Sequence, residues 1–139
     1  MKKIYWLFLL SLMFLSACGN SLSSEDFDDL GKGMTSEEVK EVLGNPKKTY
    51  KKQTEVSELI DETVSTYSQL LAMTDEDEFP NEYKKIYDRA IEFAQVKVLL
   101  EENKAITAFT YEYTYKDSDD KNQKDEKELY FYNDGLIAY

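Results

Sequence analysis

Apolar and polar positions along the chain alternate with distinct periods, and the periods set the expected elements. Residues Ile4 to Phe14 are apolar except for Ser11. From Ser24 to Leu30 (SEDFDDL), Phe27 and Leu30 stand three apart, the spacing of one short helical turn. Val39, Val42 and Leu43 then make one face of a helix over residues 36–43. Lys47 to Lys52 (KKTYKK) reads as extended. Thr54 to Met73 carries a helical stripe through Val56, Leu59, Ile60, Val64, Tyr67, Leu70 and Leu71. Residues 74–81 (TDEDEFPN) interrupt it, with Pro80 as the break. Glu82 to Asn103 reads helical again through Tyr83, Ile86, Tyr87, Ala90, Ala94 and Val98. Two antiparallel helices with a short connection make a helical hairpin. The period then changes to two. Ala105 to Tyr115 (AITAFTYEYTY) places Phe109, Tyr111, Tyr113 and Tyr115 on one face of a strand. A polar connection (117–126) leads to a second strand, Glu128 to Tyr132. The Asp134-Gly135 pair suits a type I′ hairpin turn, and Leu136 to Tyr139 closes the chain as a third strand.

The stretch LGKGMTSEEVKEVLGNP, residues 30–46, holds the strongest local grammar. Thr35 is the expected N-cap, with Glu38 three residues on to close a capping box. Met34 precedes the cap and can pack on Val39 as a hydrophobic staple. Gly44 suits a left-handed C-cap, and Pro46 blocks continuation. Gly33, Met34, Thr35, Val39, Leu43, Gly44 and Pro46 together resemble the helical motif of the SmpA/OmlA family of bacterial envelope lipoproteins. That family includes an accessory lipoprotein of the outer-membrane β-barrel assembly machine. The resemblance implies a fold similar to the β-lactamase inhibitor protein, with a helix pair on a three-stranded antiparallel sheet. It implies no catalytic role for any of these residues. The expected fold class is therefore α+β: a short N-terminal helix pair and a helical hairpin packed on a three-stranded antiparallel sheet. The hairpin is an insertion at about 47–104 relative to the family.

The first 18 residues carry a separate signal. Lys2 and Lys3 precede the apolar run, and small residues Ser16 and Ala17 follow it, which is the anatomy of a secretory signal peptide. The run is too short to span a bilayer, which needs about 20 residues. Leu15-Ser16-Ala17-Cys18 resembles the lipobox of bacterial lipoproteins. The resemblance implies cleavage before Cys18 and a diacylglycerol on its sulfur; the plainer reading is an ordinary signal peptide with a chance cysteine. Two acyl chains hold a protein on a bilayer where one does not. The expected organisation is a signal peptide at 1–17, a lipid-anchored tether at 18–24 and one α+β domain at 25–139. Cys18 is the single cysteine, so none remains for a disulfide.

Charge narrows the partners. Loss of the two N-terminal lysines from 17 basic residues leaves 15 against 28 acidic ones, a net charge of −13. That sign argues against nucleic acid and against an anionic lipid surface. The chain has no histidine, no glycine-rich phosphate loop and no serine in a nucleophile elbow. Asp117, Asp119, Asp125 and Glu128 match positions 1, 3, 9 and 12 of a calcium loop. Lys121 at position 5 repels a cation and Asn122 replaces the glycine, so the segment reads as a solvated hairpin loop. The acidic run Asp75 to Glu78 reads as a solvated loop too. Eleven Tyr and seven Phe raise the choice between an exposed aromatic strip and a core. A sheet needs one buried face to be stable, so Phe109, Tyr111, Tyr113 and Tyr115 are read as core.

The expected function is a membrane-anchored, extracytoplasmic, non-enzymatic lipoprotein that binds another envelope protein. It needs no cofactor or metal and meets the lipid bilayer through acylated Cys18. The expected contact surface is the last strand as an open sheet edge, through Leu136, Ile137 and Tyr139. The alternatives are a sensor with a small molecule enclosed between hairpin and sheet, an inhibitor of a secreted enzyme, or a carboxylate-only enzyme such as a glycosidase.

Overall fold

The structure, a computed structural model, describes residues 21–139. The expected signal peptide, the lipobox-like stretch at 15–18 and Cys18 lie outside the described residues. In order, the elements are β1 (Leu22–Ser23), a 3₁₀ turn (Ser24–Phe27), α1 (Ser36–Leu43) and β2 (Lys48–Tyr50). They continue with α2 (Gln53–Met73), α3 (Pro80–Glu101), β3 (Ile106–Lys116), β4 (Asn122–Tyr132) and β5 (Gly135–Ala138). The chain is α+β, as its periods predict.

The sheet departs from the three antiparallel strands expected. β3, β4 and β5 do form that meander, but five strands take part and the sheet is mixed. β3 is long enough to offer two docking stretches on its other edge. β2 pairs antiparallel with Ala108–Thr110, and β1 pairs parallel with Tyr113–Thr114. Leu22 and Ser23, placed in the tether by the sequence, are thus the first strand of the sheet. Two residues are too few to show a period. β4 also starts six residues before Glu128, because the register with β3 runs unbroken from Ile106↔Tyr132 to Lys116↔Asn122. The polar end of β4 has no buried face and so no alternation to read.

The two helical units cover opposite faces of the sheet, giving three layers. On one face Phe27, Leu30, Val39 and Leu43 pack on Phe109, Tyr111, Leu129, Phe131 and Leu136. On the other, Val56 and Ile60 of α2 with Phe93 and Val96 of α3 pack on Ile106, Ala108, Tyr130 and Ala138. The aromatic face of β3 splits accordingly: Phe109 and Tyr111 are buried, Tyr113 is half-buried and Tyr115 is exposed. On α3 the expected stripe is rotated. Phe93 and Val96 are the buried residues, while Tyr87 and Val98 are 48% and 52% exposed. The cause is the last three turns of α3, where Ala94, Val96, Val98, Leu99 and Leu100 are apolar around most of the helix and fix no single stripe. No helix of the described residues is long and apolar enough to cross a membrane.

Local chemistry accounts for the boundaries of α1. The Glu38 N–H donates to Thr35 Oγ1 at 3.2 Å, and the Thr35 N–H donates to Glu38 Oε2 at 2.8 Å, the reciprocal bonds of a capping box. Gly44 stops the helix with φ 79° and ψ −165°. The β4–β5 turn has positive φ at Asn133 and Asp134, the two central positions of a type I′ turn, so the turn is centred one residue earlier than the Asp-Gly reading. The Asp134 carboxylate accepts from the Ser36 hydroxyl and backbone N–H, tying this turn to the start of α1.

Candidate functional site

The residues of the 33–46 motif hold the fold together. The Gly33 N–H donates to the Leu136 carbonyl, and the Leu136 N–H donates to the Met34 carbonyl, both at 2.8 Å. Thr35 and Glu38 cap α1, Val39 and Leu43 are buried in the core beneath it, and the Gly44 carbonyl accepts from the Tyr111 hydroxyl at 3.0 Å. Pro46 follows as the first rigid residue before β2.

Those same bonds correct the expected contact surface. Leu136 is 1% exposed, and both its backbone groups are spent on Gly33 and Met34. Ile137 packs into the hairpin-side core. The Tyr139 hydroxyl donates to the Leu30 carbonyl at 2.9 Å, and its ring lies under Arg89 at 4.8 Å and Lys127 at 5.5 Å. The segment before α1 therefore covers the edge that the sequence left open. The unpaired edge lies elsewhere. β5 pairs only with Tyr130–Tyr132, so among the described residues no strand lies against the outer edge of β4 over residues 122–129.

A cleft of about 750 Å³ opens between that stretch of β4 and α2. Glu62, Thr66 and Tyr67 project from α2, and Asp125, Glu126, Lys127 and Glu128 from β4; Tyr113, Phe93 and Tyr139 are among the other lining residues. A row of three aromatic rings braces the wall. Tyr67 lies 5.0 Å from Phe93, and Phe93 meets Tyr130 edge-on at 5.9 Å.

The carboxylates of this region are held very differently. Glu112 and Glu126 face each other across β3 and β4, and Lys47 bridges them at 2.9 and 2.6 Å. Lys124 adds a further contact to Glu112, and the lysines hold that carboxyl down at about 2. Asp125 accepts from the Tyr113 hydroxyl at 3.3 Å. Glu128 makes no ion pair among the described residues. Burial pushes its carboxyl up to about 7, and the charges of Glu126, Asp125 and Glu62 add to the effect. Directly across from Glu128 on the same sheet face sits Thr110, 1% exposed, whose hydroxyl oxygen has no hydrogen-bond partner. Burial raises the Tyr67 hydroxyl as well. Burial and the nearby Arg89 lower Lys127, whose ammonium lies over the Phe27 ring at 4.7 Å.

Sequence reading placed Glu128 at the start of the second strand and gave its side chain no role. Its neighbours carried a usable signal: in ELYFY, Glu128 keeps phase with Tyr130, so it belongs to the face the hairpin covers. The supposed calcium loop is a hairpin turn in which the Asp117 carboxylate accepts the backbone N–H groups of Asp119 and Lys121, while Asp125 and Glu128 lie along β4. Among the described residues no three His, Cys, Asp or Glu side chains gather closely enough to hold a metal ion.

The strained ionisation of Glu128 gives a pH-dependent stability. Its value in the folded protein lies above the ordinary 4.5, so the folded state holds the proton more tightly. The cost of ionising it is absent below about 4.5, grows between 4.5 and 7 and stands in full above 7. Glu128→Gln is expected to stabilise the protein by about 1 to 2 kcal/mol at pH 8, after discounting for partial solvent screening, and to change little at pH 4. Thermal melts at the two pH values check this; an equal gain at both would remove the charge as its cause.

Comparison of the chain with protein-family models, with curated proteins and with solved structures returns no match.

Proposed function

We propose that the protein is a membrane-anchored, extracytoplasmic lipoprotein whose body binds another envelope protein and performs no chemistry. The carrying observation is the cleft, which pairs an unoccupied strand edge with aromatic and carboxylate walls. An unpaired strand supplies directional backbone groups to a partner, and tyrosines supply contact area with a polar tip. The lipobox at residues 15–18 and the family resemblance of residues 33–46 support the same reading. The cleft favours a polar partner over an enclosed small molecule, since four carboxylates line it and it opens to solvent.

Two measurements on the full chain in its own membranes test the reading. Cys18→Ala is expected to lose fatty-acid labelling and to move the protein from the membrane to the soluble fraction. Labelling that persists in the variant would end the lipoprotein assignment. A photo-crosslinker at Thr66, inside the cleft, is expected to give one discrete protein adduct, and one at Glu41, on the opposite helical layer, none. Indistinguishable patterns from the two positions would exclude the cleft as the binding surface.

A further inference from the structure

We propose that this cleft receives a lysine- or arginine-bearing peptide segment, with one cationic side chain seated against the carboxylate of Glu128 and its methylene stem along Tyr67. The inference rests on the protein-binding reading above and specifies the chemistry of the partner.

Two observations converge on a missing cation. Glu128 is the carboxylate of the cleft with the most burial and no ion pair among the described residues, while its neighbour Glu126 is held by Lys47. A half-buried carboxylate without a counter-ion is costly, and an arriving cation recovers that cost. Tyr67 and Phe93 wall the cleft beside Glu128, surfaces that suit the long apolar stem of lysine or arginine and the face of its charge.

The geometry also selects among cations. The carboxylates are strung along the cleft and do not gather around one point, which disfavours a metal ion and suits an extended chain. The volume of about 750 Å³ exceeds what one side chain fills, leaving room for several residues of a segment. Lys127 lines the cleft beside Tyr139, whose ring Arg89 also covers, so positive charge bounds that end. The segment's cation is thereby directed toward Glu62 and Glu128.

The test uses the full acylated chain in lipid nanodiscs and a fluorescein-labelled, amidated hexapeptide of alternating lysine and alanine. Anisotropy is read at pH 6 and pH 8. The charged groups facing Glu128 are Glu62 from α2 and Asp125 and Glu126 from β4, with the Tyr67 hydroxyl beside them. A bound cation displaces the proton of Glu128, so wild-type affinity is expected to rise at least threefold from pH 6 to pH 8. Glu128→Gln is expected to weaken binding at least tenfold at pH 8 and to flatten the pH dependence. Glu82→Gln, in the first turn of α3 and outside the cleft, is expected to leave both unchanged. A norleucine version of the peptide, with the stem but no charge, is expected to bind at least tenfold more weakly than the lysine one.

Equal losses from Glu128→Gln and Glu82→Gln would reduce the effect to general charge attraction and overturn the proposal. Should Glu128→Gln disturb the fold by circular dichroism, Glu62→Gln on the exposed side of the cleft replaces it, with a threefold or greater loss expected and no loss overturning. Specific crosslinking from Thr66 together with a peptide indifferent to Glu128 would sink the cation site and leave the protein-binding reading standing. A peptide that binds through Glu128 while Thr66 captures nothing would do the reverse.

Discussion

Phe93→Ala is expected to lower the unfolding free energy by about 3 to 5 kcal/mol, the range for removing a large buried aromatic. Phe93 is 3% exposed and forms the middle of the aromatic row Tyr67–Phe93–Tyr130, which joins α2, α3 and β4. Val56, Ile60, Phe93 and Val96 are the fully buried side chains by which the hairpin grips the sheet, so the substitution removes one of four anchors. The ring of Tyr67 loses its support at the same time, and the cleft wall with it. Urea unfolding followed by circular dichroism measures the loss. A value below about 1 kcal/mol would show that the hairpin is held by something other than this row.

Gly44→Val should cost less but from a different source. With φ 79° and ψ −165°, Gly44 occupies a region open almost only to glycine, and a β-branched side chain fits it worst. No atom lies within 4 Å of where its Cβ would stand, so the whole expected cost of about 1 to 3 kcal/mol is backbone strain. Gly31→Ala supplies the comparison, since Gly31 also has open space and no positive φ; its change should stay within about 0.5 kcal/mol. Similar melting temperatures for the two variants would rule out conformational strain as the role of Gly44.

What could be read from the sequence divides along the range of the forces involved. Helix α1 occupies the expected residues 36–43 because each of its signals, Thr35, Glu38 and Gly44, acts within a few positions of its target. The hairpin and the three-strand meander were legible for the same reason: each strand or helix has enough residues to display its period. β1 was not, since two residues show no period and are held by Tyr113 and Thr114, 91 positions away. The closing of the β5 edge was hidden in the same way, in bonds from Gly33 and Met34 to Leu136. The cleft is the extreme case. Glu128 looks like one acid among many in an acidic stretch, and only the placement of α2 over β4 takes its carboxyl out of water. Tyr67, by contrast, was in plain view as part of the α2 stripe, but read as packing; it both packs on Phe93 and forms the wall.

The docking of Leu22 and Ser23 onto β3 also sets a leash. Four Cα-to-Cα steps separate Cys18 from Leu22, about 14 Å when fully drawn out. With Cys18 held in a leaflet, as proposed, the body cannot rise beyond that height. Its search for a partner is then confined to a thin slab at the membrane surface, where the effective concentration of another membrane-bound chain is raised and that of a freely diffusing one is not. On that anchoring, the strand that takes up the slack would choose between neighbours before any side chain of the cleft had touched one.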